Sequence, residues 1–472
     1  MTQIRHTGSV DGISVLRREV SELAPQIDRW RGAEPAIATD FTTDRRLFGD
    51  FWQLTAELIA RLPRKTERNA MQAAAAESAH ERARGARRRF LQAHVAELYA
   101  GLTHNHLRFL RVDELAYAAA ELCPGLAPSR EQVAEEALLA QRDKDGHEID
   151  QGILISHVLG DEQAGRHLCH AMLLPKNDVN DHLGKFIADG KLAIGPITLL
   201  RRGKAVHLVM NNPRYLNAED QSTIDAMETA VDVATLDPST EIAVLRGGPV
   251  EHPKYAGKRI LGSGINLTHL YRGTIPYLWY MQRELGFVHK LMRGVARPDT
   301  LPDDVHGVGI EKIWIAAVES FAIGGHCQIL LTMDYVVAAN DAYMTLPARK
   351  EGIIPGASNM RLPRFVGDRI ARQAIQYGRR LDCDSAEGRM ICDEIVQPAE
   401  MDAAIDRVVE GLTSSGAVGA IGNRQAFRVA EEPLDIFRGY CAVYAREQAY
   451  CHFSPALIRN LEQYWDAQNR KG

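Results

Sequence analysis

The chain has 472 residues, too many for one ordinary domain and enough for two or three. Hydrophobic residues make up 45% and charged residues 25%, the balance of a soluble globular protein. A net charge of −5 sets up no strong field for nucleic acid, and no run of about 20 apolar residues offers a membrane span. The start, MTQIRHTGSVDG, lacks the apolar stretch of a signal peptide. The seven cysteines are scattered, odd in number and form no CxxC pair, so reduced thiols in a cytoplasmic protein are expected.

Residues 1–190 read as a helical N-terminal domain. "VLRREVSELAPQIDRW", "TDRRLFGDFWQLTAELIARL", "MQAAAAESAHERARGARRRFLQAHVAELYAGL" and "VDELAYAAAELCPGL" carry apolar residues at helical spacing, with almost no strand-like alternation. Arg82, Arg84, Arg87, Arg88 and Arg89 cluster in the third of these; a solvated helix face is expected, with a phosphate or partner site as the alternative. "DKDGHEID" (143–150) begins like a calcium loop, but Gly146 falls at its fourth position rather than its sixth, so it reads as a turn. His167 and His170 lie three apart on a helix face, and no third metal ligand has a matching spacing.

The texture changes near Gly190. "ITLLRRGKAVHLVMNN" alternates around Gly203 and predicts a hairpin. "AEDQSTIDAMETAVDVATLD" is helical, with Glu219 and Asp220 expected in its first turn, where acids suit the helix dipole. "EIAVLRG" is a short strand. A helix-rich stretch, roughly 268–297, precedes the strand "IWIAAVES", the helix "GGHCQILLTM" and the strand "DYVVAAN". Strand, helix and strand in succession predict βαβ units and a largely parallel sheet. From about 365 to the end the pattern is helical, and 401–472 reads as a helical C-terminal region. Its Phe437, Tyr440, Tyr444 and Tyr450 are suited to docking on the chain's own core or on a neighbouring subunit.

"GSG" (262–264) and "GVG" (307–309) lack the third glycine of a dinucleotide loop, and no GxSxG elbow is present. The glycines of "GSGINL" (262–267) and "AIGGHCQ" (322–328) have two readings: close strand–helix packing, or a close approach of backbone to ligand. In the second, N–H groups from the two loops converge on one oxygen and stabilise an enolate or tetrahedral oxyanion.

"NNPRYLNAED" (211–220), "GSGINL", "AIGGHCQILLTMDYVVAANDAYMTLPARKEGIIPG" and "RFVGDRIARQAIQYGRRLDCDSAEGRMICDEIV" (364–396) together resemble the crotonase, or enoyl-CoA hydratase/isomerase, superfamily, over about 195–400. The resemblance implies an α/β fold with a ββα spiral core over 191–400, acyl-CoA thioester substrates, and homotrimers or dimers of trimers. It places the two oxyanion-hole N–H groups on Ile265 and Gly325. Hydratases of this superfamily carry two catalytic glutamates where this chain has Gln328 and Ala348. Gln328 exchanges no proton near neutral pH and Ala348 has no polar group, so the thioester-activating device is kept while the pair that adds water is gone.

The whole chain is similar to a cofactor-independent oxygenase branch of that superfamily, which serves glycopeptide-antibiotic biosynthesis and acts with O2 on an arylacetyl-CoA thioester whose ring bears two hydroxyls. That similarity implies neither metal nor flavin; the small net charge and the lack of a long apolar run point to no nucleic-acid or membrane partner. It implies that Glu219 and Gln328 bond the ring hydroxyls, with helix N-terminal charge as the other reading of Glu219. Ala348 and Ile353 would form a dry oxygen pocket. Arg283 would hold a reacting oxygen or orient the thioester, against a surface ion pair. Lys254, Lys258 and Arg259 would meet the CoA phosphates, against a solvated loop. Another crotonase-fold hydrolase or isomerase, or a non-catalytic acyl-CoA scaffold, are the competing functions. The N-terminal helices would lid the CoA site or bury subunit surface.

Overall fold

The computed structural model describes residues 12–38, 40–307 and 309–470. The stretch read above for a leader lies outside them up to residue 11, as does Val308 of "GVG". Nothing but helix, turn and loop is found among the described residues up to Asp189. The helices are α1 (Gly12–Glu19), α2 (Ala24–Gly32), α3 (Phe41–Ala60), α4 (Ala70–Leu102), α5 (Val112–Leu122), α6 (Arg130–Glu136), α7 (Ile149–Gly160), α8 (Glu162–Leu173) and α9 (Val179–Asp189). Polar caps set the starts of α3, α4, α6 and α8. The Asp40 side chain accepts from Thr43 N ahead of α3, and Asn69 with Gln72 forms a capping box ahead of α4. Buried Ala75, Ala76, Ala79, Ala83 and Ala86 give α4 a small-residue seam. There α1 comes so close that a Cβ on Gly12 would lie 2.6 Å from the Ala74 carbonyl carbon.

The arginine cluster of α4 is a solvated face only in part: Arg82, Arg88 and Arg89 keep contact with solvent, while Arg84 and Arg87 turn inward. Arg84 and Arg87 both reach buried Asp150 of α7, at 3.4 and 3.2 Å, and Arg87 donates to the Gly125 carbonyl at 2.7 Å. Arg82 and Arg89 share Glu34, and Arg88 donates to Tyr450. Charge density in one helix could not reveal these partners, which lie far off in sequence.

The remainder is strand and helix in alternation. It comprises β1 (Lys191–Ile194), β2 (Ile197–Arg202), β3 (Ala205–Met210), α10 (Gln221–Leu236), β4 (Ile242–Gly247), α11 (Leu267–Tyr271), α12 (Leu278–Leu285) and α13 (Phe287–Arg293). These are followed by β5 (Ile313–Val318), β6 (Phe321–Ile323), α14 (Gly325–Leu330), β7 (Tyr335–Ala339), β8 (Tyr343–Thr345), α15 (Ala348–Glu351) and α16 (Ser358–Tyr377). The end holds β9 (Leu381–Asp382), β10 (Glu394–Val396), α17 (Met401–Thr413), α18 (Val418–Glu431), α19 (Leu434–His452) and α20 (Pro455–Trp465).

A seven-stranded sheet runs β1-β2-β3-β4-β5-β7-β10, antiparallel in the predicted β2–β3 hairpin and parallel from β3 onward. β4 and β5 are buried throughout, as parallel strands covered on both faces must be. A second sheet, β6-β8-β9, stands apart. After β5 the chain changes sheet within two residues, and this ββα step delivers Gly324 and Gly325 to the start of α14. The expected helical run after 365 is interrupted by β9 and β10, which at two and three residues are too short to carry a period. Among the described residues no helix is long and apolar enough to cross a membrane.

α19 lies along α7. Gly152 is the close point, where an added Cβ would stand 2.4 Å from the Ala449 Cβ and 2.9 Å from the Ala445 carbonyl oxygen. Gly152→Leu forces these helices apart, at a cost of about 1–3 kcal/mol or more. The expected result is a lower unfolding midpoint in denaturant; a midpoint equal to wild type would show that the contact is not needed.

Candidate active site

Glu219 sits just before α10 rather than in its first turn. Asp220 is the N-cap, accepting from Ser222 N, and this holds Glu219 in extended backbone. There it pairs with the Gly264–Asn266 segment: Glu219 N donates to Gly264 O and Asn266 N to Glu219 O, each at 2.7 Å. The carbonyl and amide of one trans peptide point opposite ways. The Gly264 carbonyl that meets Glu219 therefore turns the Ile265 N–H to the other side.

The Gly262–Gly264 turn packs against the start of α14. Ile323 N donates to Gly262 O at 3.0 Å, and a Cβ on Gly264 would fall 3.2 Å from the Gly325 nitrogen. Gly264 and Gly324 have φ of 83° and 56°, and this conformation makes the approach possible. Gly325 N is the first amide of α14 and has no helical acceptor. Among the described residues neither the Ile265 nor the Gly325 amide donates to a protein acceptor.

His326 fixes the two loops together. Its Nδ1 accepts from Gly264 N at 3.2 Å, while Nε2 lies 3.3 Å from the Met210 sulfur. Burial pushes its pKa down to about 4, which keeps the ring neutral and its Nδ1 free to accept.

Beside this junction lies a cavity lined by the residues that the family resemblance assigns to the oxyanion hole, the ring contacts and the oxygen pocket: Glu219, Ile265, Arg283, Gly325, Gln328, Ala348 and Ile353. Arg283, on α12, is buried at 3% exposure and is no surface ion pair. Its Nε lies 3.1 Å from both Glu219 oxygens, Nη1 donates to Glu284 at 2.5 Å and to Gln328 Oε1 at 2.8 Å, and Nη2 donates to Gly325 O at 2.7 Å. Burial works against its charge, yet Glu219 and Glu284 hold the guanidinium above its ordinary pKa. Gly325 has no space for a side chain: a Cβ would stand 2.1 Å from Glu219 Oε2.

Gln328 accepts from Arg283 through Oε1, so its amide N–H groups remain for a ligand. Ala348 and Ile353 line the same wall as Leu346, Pro347 and Ile354. α19 holds that wall: Gln448 accepts from Ile354 N at 2.9 Å, Tyr440 donates to the Gly356 carbonyl, and Tyr444 lines the cavity itself. Lys254 and Lys258 are exposed and Arg259 is half-buried on the loop after β4, outside the cavity lining. His167 and His170 face Tyr99 and the carbonyls of His106 and Arg297.

Sequence reading missed Glu284, Glu351 and Tyr444 as lining residues. An adjacent charged pair within the apolar "YLWYMQRELGF" was the available signal for Glu284; the spacing of three from Ala348 within α15 was the signal for Glu351.

The enoyl-CoA hydratase/isomerase family model matches residues 305–421, and the chain belongs to that family, the crotonase superfamily. Over 416 residues it is 44% identical to the (3,5-dihydroxyphenyl)acetyl-CoA 1,2-dioxygenase of Amycolatopsis orientalis, covering 88% of this chain and 94% of that one. It is 27% identical to the crotonyl-CoA hydratase of Syntrophomonas wolfei, over 48% of this chain and 78% of the relative. A crystal structure of an enoyl-CoA hydratase from Mycobacterium avium subsp. paratuberculosis matches with a TM-score of 0.47 at 19% identity, over 57% of this chain and 98% of that one.

Removing the cation of Arg283 strands two buried carboxylates. Arg283→Met is expected to cost about 3–5 kcal/mol, measured by chemical denaturation. A loss no larger than that of a surface arginine variant would refute the buried network.

Proposed function

We propose that the protein converts (3,5-dihydroxyphenyl)acetyl-CoA and O2 to (3,5-dihydroxyphenyl)glyoxylate and CoA. The observation that carries this is the pairing of two unused loop amides with a cavity whose polar groups suit two phenols and whose remaining wall is apolar. The thioester oxygen takes the Ile265 and Gly325 N–H groups, which lowers the energy of the enolate; one such donor contributes about 3–4 kcal/mol. Glu219 accepts a hydrogen bond from one ring hydroxyl, and the Gln328 amide donates to the other. Arg283 holds both in place, and its remaining Nη2 hydrogen is available to a reacting oxygen.

The electron-rich ring makes the enolate an electron donor to O2, so the substrate takes the part that a flavin or metal plays elsewhere. Carbon–oxygen bond formation gives a peroxide, which attacks the thioester carbon and expels CoA. Cleavage of the O–O bond, with loss of the second α-hydrogen, leaves the keto acid. The atoms of substrate and O2 account for both products without added water. Ala348 and Ile353 give O2 an apolar surface, and exclusion of water there protects the enolate. Lys254, Lys258 and Arg259 are the cations proposed for the CoA phosphates. A homotrimer or dimer of trimers is the proposed assembly, in a cytoplasmic setting. Hydration of an enoyl-CoA is disfavoured by Gln328 and Ala348, which leave no proton-exchanging group at those two positions.

An oxygen-electrode trace on purified protein with excess chelator is expected to show O2 uptake matching CoA release. CoA release at the same rate without oxygen would overturn the reading in favour of hydrolysis. Gln328→Ala is expected to slow turnover of the dihydroxy substrate far more than that of a monohydroxy analogue, because only the former loses a partner. Equal losses would remove Gln328 from the ring contact.

A further inference from the structure

Enolate formation needs a base, and three carboxyl side chains line the cavity: Glu219, Glu284 and Glu351. Two are occupied. Glu219 and Glu284 both pair with Arg283, and Glu284 also accepts from Ala357 N at 3.3 Å. Both carboxylates are thereby committed to the Arg283 guanidinium.

Glu351 differs. It is only 8% exposed, yet among the described residues its side chain has no ion pair and no hydrogen bond. It closes α15, three residues after Ala348, and residues at that spacing share a helix face. Both line the cavity, and Ala348, ending at its Cβ, leaves the space beside Glu351 open. The other titratable groups lining the cavity are Tyr280 on α12, Tyr444 on α19 and the Arg283 cluster. Burial raises both tyrosines well away from neutrality, so neither serves as a base.

We propose that Glu351 is the catalytic base that removes the α-proton of the thioester substrate. This rests on the dioxygenase reading above. The α C–H bond breaks, its proton goes to a Glu351 carboxylate oxygen, and its electron pair becomes the enolate held by the Ile265 and Gly325 amides. After the peroxide attacks the thioester, the proton passes from Glu351 to the departing CoA thiolate, which leaves Glu351 ionised for the next cycle. Burial alone, with no charged neighbour contributing, pushes the Glu351 pKa up to about 7. At neutral pH a substantial fraction is then ionised and a stronger base than an ordinary carboxylate.

The test is exchange of the substrate's α-hydrogens in D2O without oxygen, followed by mass spectrometry with (3,5-dihydroxyphenyl)acetyl-CoA as the probe. Wild type is expected to exchange, with a rate that climbs as pH rises through about 7. Glu351→Gln is expected to lose about 10²-fold or more of that rate, and the pH limb with it, while still binding the substrate in anaerobic titration. Exchange by Glu351→Gln at the wild-type rate would overturn the assignment, with the oxygenase reading left standing. A wild type that neither exchanges nor takes up O2 would overturn both. Should the Gln variant not fold, Glu351→Asp decides: a slowed rate with a displaced pH limb supports the base, and an unchanged rate and limb refute it.

Discussion

One buried guanidinium organises the site. Arg283 comes from α12, Glu219 from the segment before α10, Glu284 from α12 itself, and Gly325 and Gln328 from α14. A cation in so dry a place is tolerated only because carboxylates and carbonyl oxygens surround it. Those partners are thereby fixed in direction as well as in charge. The Gly325 carbonyl is held by Arg283, and the same residue's amide has no protein acceptor among the described residues. The Gln328 oxygen is likewise fixed, accepting from Arg283 Nη1.

Glycine sets the distances between these elements. Gly325 lies where any side chain would strike Glu219, and Gly356 lies where one would strike Glu284 and Gln328, at 2.3 and 2.5 Å. Packing this close leaves main-chain amides, which cannot reorient freely, as the donors proposed for the thioester oxygen. Such donors need little reorganisation when an enolate forms, and that is the source of their strength. His326 contributes by remaining uncharged, since a protonated ring could not accept from Gly264.

The helical region ahead of the sheet is bound to it by buried charge. Arg111, leading into α5, reaches Glu228 of α10 at 2.6 Å, and Lys290 of α13 bridges Glu228 and Asp232 at 2.8 and 2.7 Å. α7 in turn carries α19, whose Tyr440, Tyr444 and Gln448 close one wall of the cavity. The N-terminal helices thus bear on the site through α19 without lining it.

Much of this was legible in the residues. The alternation around Gly203 specified a hairpin, because side chains in strands alternate between faces. The two glycine loops and the replacement of acids by Gln328 and Ala348 pointed to thioester activation without hydration, because those chemistries need different side chains at those positions. Local pattern could not reveal partners distant in sequence. Arg84 and Arg87 looked solvated until Asp150 stood beside them; Glu219 looked like a helix-dipole charge until Asp220 took the cap and Arg283 the carboxylate. Glu351 is the clearest case. Its chain neighbours Arg349 and Lys350 are exposed, whereas folding buries its own carboxyl against the cavity without a partner among the described residues. Sequence specified which groups are present and how each short segment bends; the tertiary structure decided which charges are paired and left the Glu351 carboxyl without a partner among the described residues, because burial and pairing depend on contacts across the whole chain.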